Sequence, residues 1–222
     1  NVRGFVYSNM IGILGGADDW AIKAYNSAKE LEPKNPYIFT ELGRVYLLKS
    51  DLLENQQKTK ERTESLGIAR QYLEKAIELK TDYAPAHFLM AMVYVREQKI
   101  AEAIEKLEAT KSLSPFDAGI AFQLGLLYYN DNKLQEAKEE FQRAVAIDPN
   151  FSNAHYFLGL IFDKEGKKEE AISHFVKIEQ LNPENEDVKK ILDNLRAGKP
   201  ALEGVILSQP PIEEKPPEQL KK

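Results

Sequence analysis

The side chains most able to do chemistry in this sequence are its three histidines, and their spacing argues against a metal site. His87, His155 and His174 are far apart in the chain. No two of them stand four residues apart on one helix, the spacing that places two imidazoles on one metal ion. Because cysteine is absent, thiolate nucleophiles and cysteine zinc sites are absent too. We therefore predict no metal site, and packing or surface roles for the histidines.

Carboxylates and glycines do not form a catalytic pattern either. The glutamate pairs at 139–140 and 169–170 occupy polar positions of amphipathic segments, with no constellation of His, Lys or Ser beside them. Solvation explains such carboxylates. The glycines of segment 12–16 are not followed by Gly-Lys-Ser/Thr, which a phosphate-binding loop needs. The sequence thus predicts neither an enzyme nor a cofactor site.

Composition favours a folded domain and disfavours two classes of partner. The chain has 222 residues, of which 43% are hydrophobic and 29% charged, enough for a sizeable core. Its formal charge of -5 disfavours nucleic acid, because phosphate binding needs clustered Lys and Arg. No run of about 18 apolar residues occurs, so we expect no membrane insertion by this chain. It begins with Asn1, as expected of a processed protein or a piece of a longer one, and its compartment stays open.

The elements that position these side chains repeat along the sequence. Pro115, Pro149 and Pro183 follow one another at an interval of 34 residues. A small, an aromatic and an alanine position keep the same interval: Ala91, Gly125 and Gly159; Tyr94, Tyr128 and Phe162; Ala103, Ala137 and Ala171. A constant period of this length is typical of stacked repeats.

Each repeat is predicted to be a pair of helices. In segment 118–151, apolar residues share one face of a first helix and one face of a second: Ala121, Leu124 and Tyr128; Ala137, Phe141 and Ala144. The small side chains of Gly125 and Ala137 let the two backbones approach closely. Pro149 ends the pair, because proline cannot continue a helix.

This order of small, aromatic, alanine and proline positions resembles the tetratricopeptide repeat (TPR) family, whose unit is a helix-turn-helix of 34 residues. The resemblance implies an all-α fold, a right-handed α-solenoid of TPR hairpins closed by a C-terminal capping helix. We expect this solenoid to span residues 1–198. Its parts are a degenerate repeat at about 2–35, a repeat at 36–83 with a 14-residue insertion, repeats at 84–117, 118–151 and 152–185, and a capping helix at 186–198.

Two N-terminal repeats depart from the pattern. Phe5, Asn9 and Gly12 match a first helix poorly. In the next repeat a turn signal occurs twice, at 50–52 and 64–66, on either side of a polar stretch. We expect an excursion at the hairpin tip, either a helical extension or a loop. It is either an unselected surface insertion or a contact for a partner or for membrane headgroups.

The helical pattern ends at Lys199. Residues 199–222 are rich in proline, glutamate and lysine, and we expect them to form a disordered tail. One hypothesis is that its apolar patch at 205–207 folds back and blocks the binding groove, because tethering gives a high effective concentration.

A second apolar stripe runs along the first helices of the repeats. In the TPR family such positions line the concave inner surface, so the resemblance implies a groove for a protein or peptide with an apolar segment. The alternative is that these side chains only pack against adjacent repeats. Arg44 either anchors an acidic group at the groove's edge or is a solvated charge. The predicted groove residues are Arg44, Phe88, Met92, Val95, Phe122, Leu126, Tyr129, Tyr156 and Leu160.

From these observations we expect a non-enzymatic scaffold for protein–protein interaction, without cofactors. The alternative is a soluble regulatory or docking TPR domain of a larger bacterial protein. Examples are the membrane-embedded polysaccharide polymerase or ligase-like proteins, in which similar repeat domains follow membrane segments. Recognition of RNA by helical repeats is disfavoured by both the period and the charge.

Overall fold

Eleven α-helices make up the computed structural model, which describes residues 2–205. Their bounds are α1 Val2–Ser8, α2 Ala17–Leu31, α3 Pro36–Asn55, α4 Thr59–Leu79, α5 Ala84–Arg96, α6 Ile100–Leu113, α7 Ala118–Asn130, α8 Leu134–Ile147, α9 Ser152–Lys164, α10 Lys168–Leu181 and α11 Glu186–Arg196. No strand occurs in this described part of the chain. The prediction of an all-α fold is confirmed.

The helices form two compact units. The first spans Asn1–Pro115 and holds α1 to α6, and the second spans Phe116–Lys222 and holds α7 to α11. In the first unit α1 packs on α2, α3 on α4 and α5 on α6. In the second unit α7 packs on α8 and α9 on α10, and α11 covers α10. Each unit is therefore a stack of helical pairs.

Glycine sets the distance between the helices of a pair. A methyl group on Gly125 of α7 would lie 2.6 Å from the ring of Phe141 on α8. In the α3–α4 pair, a methyl group on Gly43 would lie 2.6 Å from Leu73. Since real side-chain carbons do not approach so closely, any larger residue would push the two helices apart.

The turns within four pairs share one geometry. Each contains a residue in the left-handed region, at Gln57, Gln98, Asn132 and Gly166, with φ of 58, 61, 57 and 75°. The turn of the enlarged repeat is therefore at residues 56–58. The expected turn signals at 50–52 and 64–66 were wrong, because both segments are helical. The inserted residues lengthen α3 and α4 to 20 and 21 residues, against 13 and 14 for α5 and α6.

The first pair follows a different register from the one expected. Gly4 lies against the ring of Tyr25, where a methyl group would come within 2.7 Å of it. Gly4 and Ser8 are the buried residues of α1, so Gly4 takes the small position that an interval of 34 residues before Gly43 assigns to Asn9. The long connection from 9 to 16 hid this match, because it breaks the interval on which the sequence argument depends.

The C-terminal end is covered by α11 and by the segment that follows it. Asn185 caps α11, since its side chain accepts a hydrogen bond from the Val188 N–H (3.1 Å). Beyond the helix, Ala201 is buried, and its N–H donates to Asp163 Oδ2 on α9 (2.8 Å). The expected start of the tail at 199 thus falls inside a packed segment, residues 199–205. Ile206, Leu207 and the remainder of the predicted tail lie outside the described residues.

Between residues 2 and 205, no helix combines the length and the apolar character that crossing a membrane requires.

Candidate functional site

The predicted groove residues of the second unit lie on α7 and α9, around a cluster of aromatic rings. Phe122 of α7 is almost fully buried and contacts Phe151, Phe141 and Phe157, with ring centroids 5.1, 5.7 and 6.0 Å away. Such tilted contacts add to the free energy of burial. Phe122 therefore belongs to the buried layer of this cluster and not to its accessible surface.

Phe157 is the centre of this cluster, although it is not among the predicted groove residues. Its ring stacks on Phe141 at 5.1 Å and meets Tyr129 and Tyr156 edge-on at 5.2 and 5.6 Å. Since Phe157 lies next to Tyr156 in the sequence, it falls outside both helical stripes that we traced. The sequence signal that could have identified Phe157 is the occurrence of three aromatic residues close together, at Phe151, Tyr156 and Phe157.

Tyr129 and Leu126 form the accessible part of this region. Both side chains are partly buried and pack against the cluster of Phe122 and Phe141. The ammonium group of Lys164 lies 4.9 Å from the centroid of the Tyr129 ring, a cation–π distance. Tyr129 is thus held by Phe157 and by Lys164 while part of its surface faces water.

Tyr156 and Leu160 are more deeply covered. Both belong to the core that α9 shares with α10 and α11, and Tyr156 meets Phe175 edge-on at 5.7 Å. The Tyr156 hydroxyl is buried and has no hydrogen-bond partner among residues 2–205. Burial is the first cause that raises the pKa of Tyr156 to about 12, and the neighbouring Tyr129 and Asp187 raise it further.

The remaining groove residues belong to the first unit. Phe88, Met92 and Val95 lie on α5, where Met92 is buried and the other two are partly buried. The structure thus groups the nine predicted residues into two sets, one in each unit.

Arg44 on α3 is paired with an acidic side chain of its own helix. Its guanidinium Nη2 lies 3.3 Å from Glu41 Oε1, one helical turn away. Glu41 is buried and accepts a hydrogen bond from the Tyr25 hydroxyl (3.2 Å). Burial raises the pKa of Glu41, although Arg44 and the Tyr25 bond act in the opposite direction. This pairing weakens the field that Arg44 presents to a partner's acidic group.

The two histidines of the second unit contact each other, a pairing that we did not predict from the sequence. His155 Nδ1 lies 2.8 Å from His174 Nδ1, and His155 Nε2 lies 3.1 Å from the Pro149 carbonyl. Because a carbonyl only accepts, the Nε2–H of neutral His155 donates to Pro149, and its Nδ1 accepts from His174. The ring of Phe162 stacks on His174 at 5.4 Å. Helices α9 and α10 bring the two side chains together from positions with no common sequence motif.

Within the described part of the chain, no three His, Cys, Asp or Glu side chains are grouped so that they could hold a metal ion. Ionisable groups form ion pairs instead, such as Lys138 with Glu165 (2.5 Å) and Arg96 with Asp51 (3.0 Å). The first joins α8 to the residue that follows α9, and the second joins α5 to α3.

Comparison with protein families gives two matches, both in the second unit. Residues 125–166 match a family described as TPR repeat, and residues 152–185 match one described as Tetratricopeptide repeat. No curated protein matches the chain.

Several solved structures are similar to the chain. MamA is 25% identical, over 73% of this chain and 86% of MamA, with a TM-score of 0.58. YrrB, described as a TPR protein with an unusual peptide-binding site, is 22% identical, over 81% of this chain and 86% of its own, with a TM-score of 0.54. TTC0263, a TPR protein of Thermus thermophilus, is 16% identical, over 88% of this chain and 98% of its own, with a TM-score of 0.61. The last two likenesses concern the fold alone.

Proposed function

Because the chain carries tetratricopeptide repeats, we propose that it is a non-enzymatic scaffold that binds a protein or peptide segment. Stacked helical hairpins create extended surfaces suited to holding a partner. The partner is a segment that presents apolar side chains, because the candidate surface of each unit is apolar.

The observation that carries this proposal is the exposed face of α7. Leu126 and Tyr129 are partly accessible, while Phe122 and Phe157 are packed behind them. Aromatic side chains that are held rigidly lose little entropy on binding, so they suit the centre of a protein interface. The partly exposed Phe88 and Val95 on α5 provide an apolar surface in the first unit.

A library of displayed random peptides tests the proposal without a known partner. The purified chain should select peptides with apolar anchors, and Leu126→Ser with Tyr129→Ser should weaken their binding about tenfold or more, as expected for losing central contacts. Phe122 and Tyr156 are unsuitable for this test because they are buried in the core.

Phe116→Ser is the matched control. Phe116 is an apolar side chain of the same unit with 86% of its surface exposed, and it precedes α7. Its substitution should leave peptide affinity unchanged. If the α7 variant has a wild-type circular dichroism spectrum and binds the selected peptides as well as this control does, α7 is not the binding surface.

A second candidate function is docking to another copy of the chain within a larger assembly, which the outer face of α1 favours. Val2, Phe5 and Val6 follow each other at helical spacing and are exposed, whereas Gly4 and Ser8 face α2. Apolar faces of this kind mark interaction sites. If this face docks, Val2→Ser, Phe5→Ser and Val6→Ser together should reduce self-association in sedimentation experiments and leave peptide binding by α7 unchanged. Unchanged sedimentation would argue against docking.

A further inference from the structure

Helix α11 stands where the first helix of a further repeat would stand. The N-cap positions of α7, α9 and α11 follow one another at the interval of 34 residues that the repeats keep. At the same interval, Asn194 of α11 corresponds to Leu160 of α9 and Leu126 of α7, which are two of the predicted groove residues. Helix α11 therefore continues the row of first helices that carries the predicted groove.

The segment that follows α11 is bound to this end of the row, and we call residues 199–205 the strap. The side-chain amide of Asn194 donates to two main-chain carbonyls of the strap, those of Ala201 (3.1 Å) and Glu203 (2.8 Å). On α9, Asp163 Oδ2 accepts a hydrogen bond from the Ala201 N–H (2.8 Å). Hydrogen bonds to main-chain groups supply affinity in peptide recognition, and here they hold a segment of the chain itself.

Apolar side chains of the strap pack on the same face. Ala201 is buried and Val205 is partly buried, and both pack on the cluster that includes Leu160 and Tyr156. Leu160 is only 8% exposed, whereas Leu126, its equivalent one repeat earlier, is partly exposed. The strap contributes to this difference, because it belongs to the cluster of Leu160 and not to the cluster on which Leu126 packs.

The strap covers this face incompletely. Leu202 of the strap is 41% exposed, and Glu203 and Gly204 are exposed as well. In the cluster below, the buried hydroxyl of Tyr156 has no hydrogen-bond partner among residues 2–205. A buried donor without an acceptor costs free energy. A segment that covers more of the cluster than the strap does would therefore bind there more strongly.

We propose that the strap is an intramolecular ligand of the groove, and that a partner segment binds across α9 and α11 by displacing it. This inference rests on the proposed function, the binding of a peptide segment, and adds its regulation. The strap indicates the chemistry of the partner: a small residue, an aliphatic residue four positions later, and main-chain carbonyls for Asn194. Because tethering gives the strap an effective concentration on the order of millimolar, weakly binding segments do not displace it.

A strap-release variant of the full chain tests the proposal. Ala201→Asp with Val205→Asp removes both apolar contacts, and a carboxylate is costly to bury beside Asp163, so the strap should leave the cluster. The probe is a fluorescently labelled synthetic peptide with the sequence of residues 199–205. In anisotropy titrations it should bind the release variant at least tenfold more tightly than the wild type, in which the tethered strap competes.

Two further substitutions make the result specific. Leu202→Ser is the matched control, since Leu202 is an apolar residue of the strap that does not belong to the buried cluster. This variant should bind the probe as weakly as the wild type does. Asn194→Ala, added to the release variant, should lower the affinity for the probe about tenfold, because two hydrogen bonds to the main chain are lost.

A second measurement uses the wild-type chain and decides the question even if the release variant does not fold. Peptides are selected from a displayed random library, and deuterium exchange of the Ala201 N–H is followed by NMR. At saturation with a selected peptide, this exchange should become at least tenfold faster, because Asp163 no longer accepts a hydrogen bond from the strap. Unchanged protection at saturation would show that partners bind without moving the strap, and the proposal would be wrong.

Two other results would overturn the proposal: equal affinity of the folded release variant and the wild type for the probe, or no effect of Asn194→Ala on that affinity. If the release variant binds the probe but selects no peptide that competes with it, the face serves the strap alone and is not a partner site. Leu126→Ser with Tyr129→Ser should leave probe binding by the release variant unchanged, so failure of the α7 surface is seen separately.

Discussion

Single residues set how closely the helices approach in this protein. Gly125 faces the Phe141 ring, with no room for a methyl group between them. Gly67 on α4 has no atom from outside its own stretch of helix within 4 Å of the position that a methyl group would take. Both glycines lie within helices, so both have the low helix propensity of glycine. Only Gly125 also has a packing role.

Substitution by alanine should therefore have opposite effects at these two glycines. Gly125→Ala should lower the free energy of unfolding by about 1–3 kcal/mol, because α7 and α8 must move apart. Gly67→Ala should raise it by up to about 1 kcal/mol through better helix propensity. Urea unfolding followed by circular dichroism measures both values. Equal effects of the two changes would contradict the packing role of Gly125.

The His155–His174 pair makes the second unit sensitive to acid. Burial is the first cause that lowers the pKa of His174 to about 4, and the adjacent His155 lowers it further. An unfolded histidine has a pKa near 6.5. Between pH 6.5 and 4 the unfolded chain thus binds more protons, so the free energy of unfolding falls as the pH falls. The contribution is complete above about pH 6.5 and is lost towards pH 4.

His174→Gln removes this titration while keeping a side-chain donor for His155. We expect the wild type to lose on the order of 2 kcal/mol more than the variant between pH 6.5 and 4, after allowance for solvent screening. Urea unfolding of both proteins in the same buffers measures the difference, because contributions from carboxylates then cancel. Identical pH dependence of the two would show that the pair does not resist protonation.

At the scale of elements, the enlarged α3–α4 pair is joined to α5 by its added turns. Arg62 on α4 donates to the carbonyl of Arg96 at the end of α5 (2.9 Å), and Arg96 donates two hydrogen bonds to Asp51 on α3 (3.0 and 3.1 Å). A charged donor at a helix C-terminus satisfies a carbonyl that the helix leaves open. The insertion therefore has a structural contact within its own unit.

The segment after α11 is a second element whose role can be measured. Ala201 and Val205 pack on the core of α9, α10 and α11, and Asn194 donates to the Ala201 carbonyl (3.1 Å). A chain that ends at residue 198 loses these contacts, whereas one that ends at 205 keeps them. The first should be less stable than the full chain by about 1–3 kcal/mol, and the second should be nearly unchanged. Thermal unfolding of both truncations is the measurement, and equal stability would show that residues 199–205 do not contribute.

These truncations also test whether the end of the chain blocks the peptide-binding surface. If residues 206–222 occupy it, peptides selected by the α7 surface should bind more tightly to the chain that ends at 205 than to the full chain. Equal affinity would remove that hypothesis without affecting the packing of residues 199–205.

At the scale of the whole molecule, each compact unit has a core of its own. Tyr25, Ile38, Leu42 and Val45 belong to a buried cluster of the first unit, and Phe141 and Leu158 to one in the second. We therefore expect residues 1–115 and 116–205, expressed separately, to be helical and to unfold cooperatively. Circular dichroism during heating tests this expectation. A gradual loss of signal in either fragment would show that the unit does not fold alone.

The sequence by itself determined the repeating architecture. The proline that ends a hairpin and the small residue that admits the facing helix are needed at fixed places in a repeat, so from residue 84 onward both recur at a constant interval. The interval that contains the insertion concealed the turn at 56–58, because its additional residues continue both helices and carry no breaking signal. The first repeat was hidden for a related reason, since its long connection displaced Gly4 from the expected position.

Only the tertiary structure decided which of the candidate residues contact each other and which are accessible. The central place of Phe157, the pairing of His155 with His174 and the pairing of Arg44 with Glu41 depend on the rotation of helices within a pair or on the rotamer of a side chain. The helical period specifies which residues face a neighbour only to within roughly one residue. Tyr156 and Phe157 are adjacent in the sequence, yet Tyr156 lies in the core with α10 and α11, and Phe157 lies at the centre of the aromatic cluster. Which of two adjacent side chains enters the core is decided by how all the helices pack together.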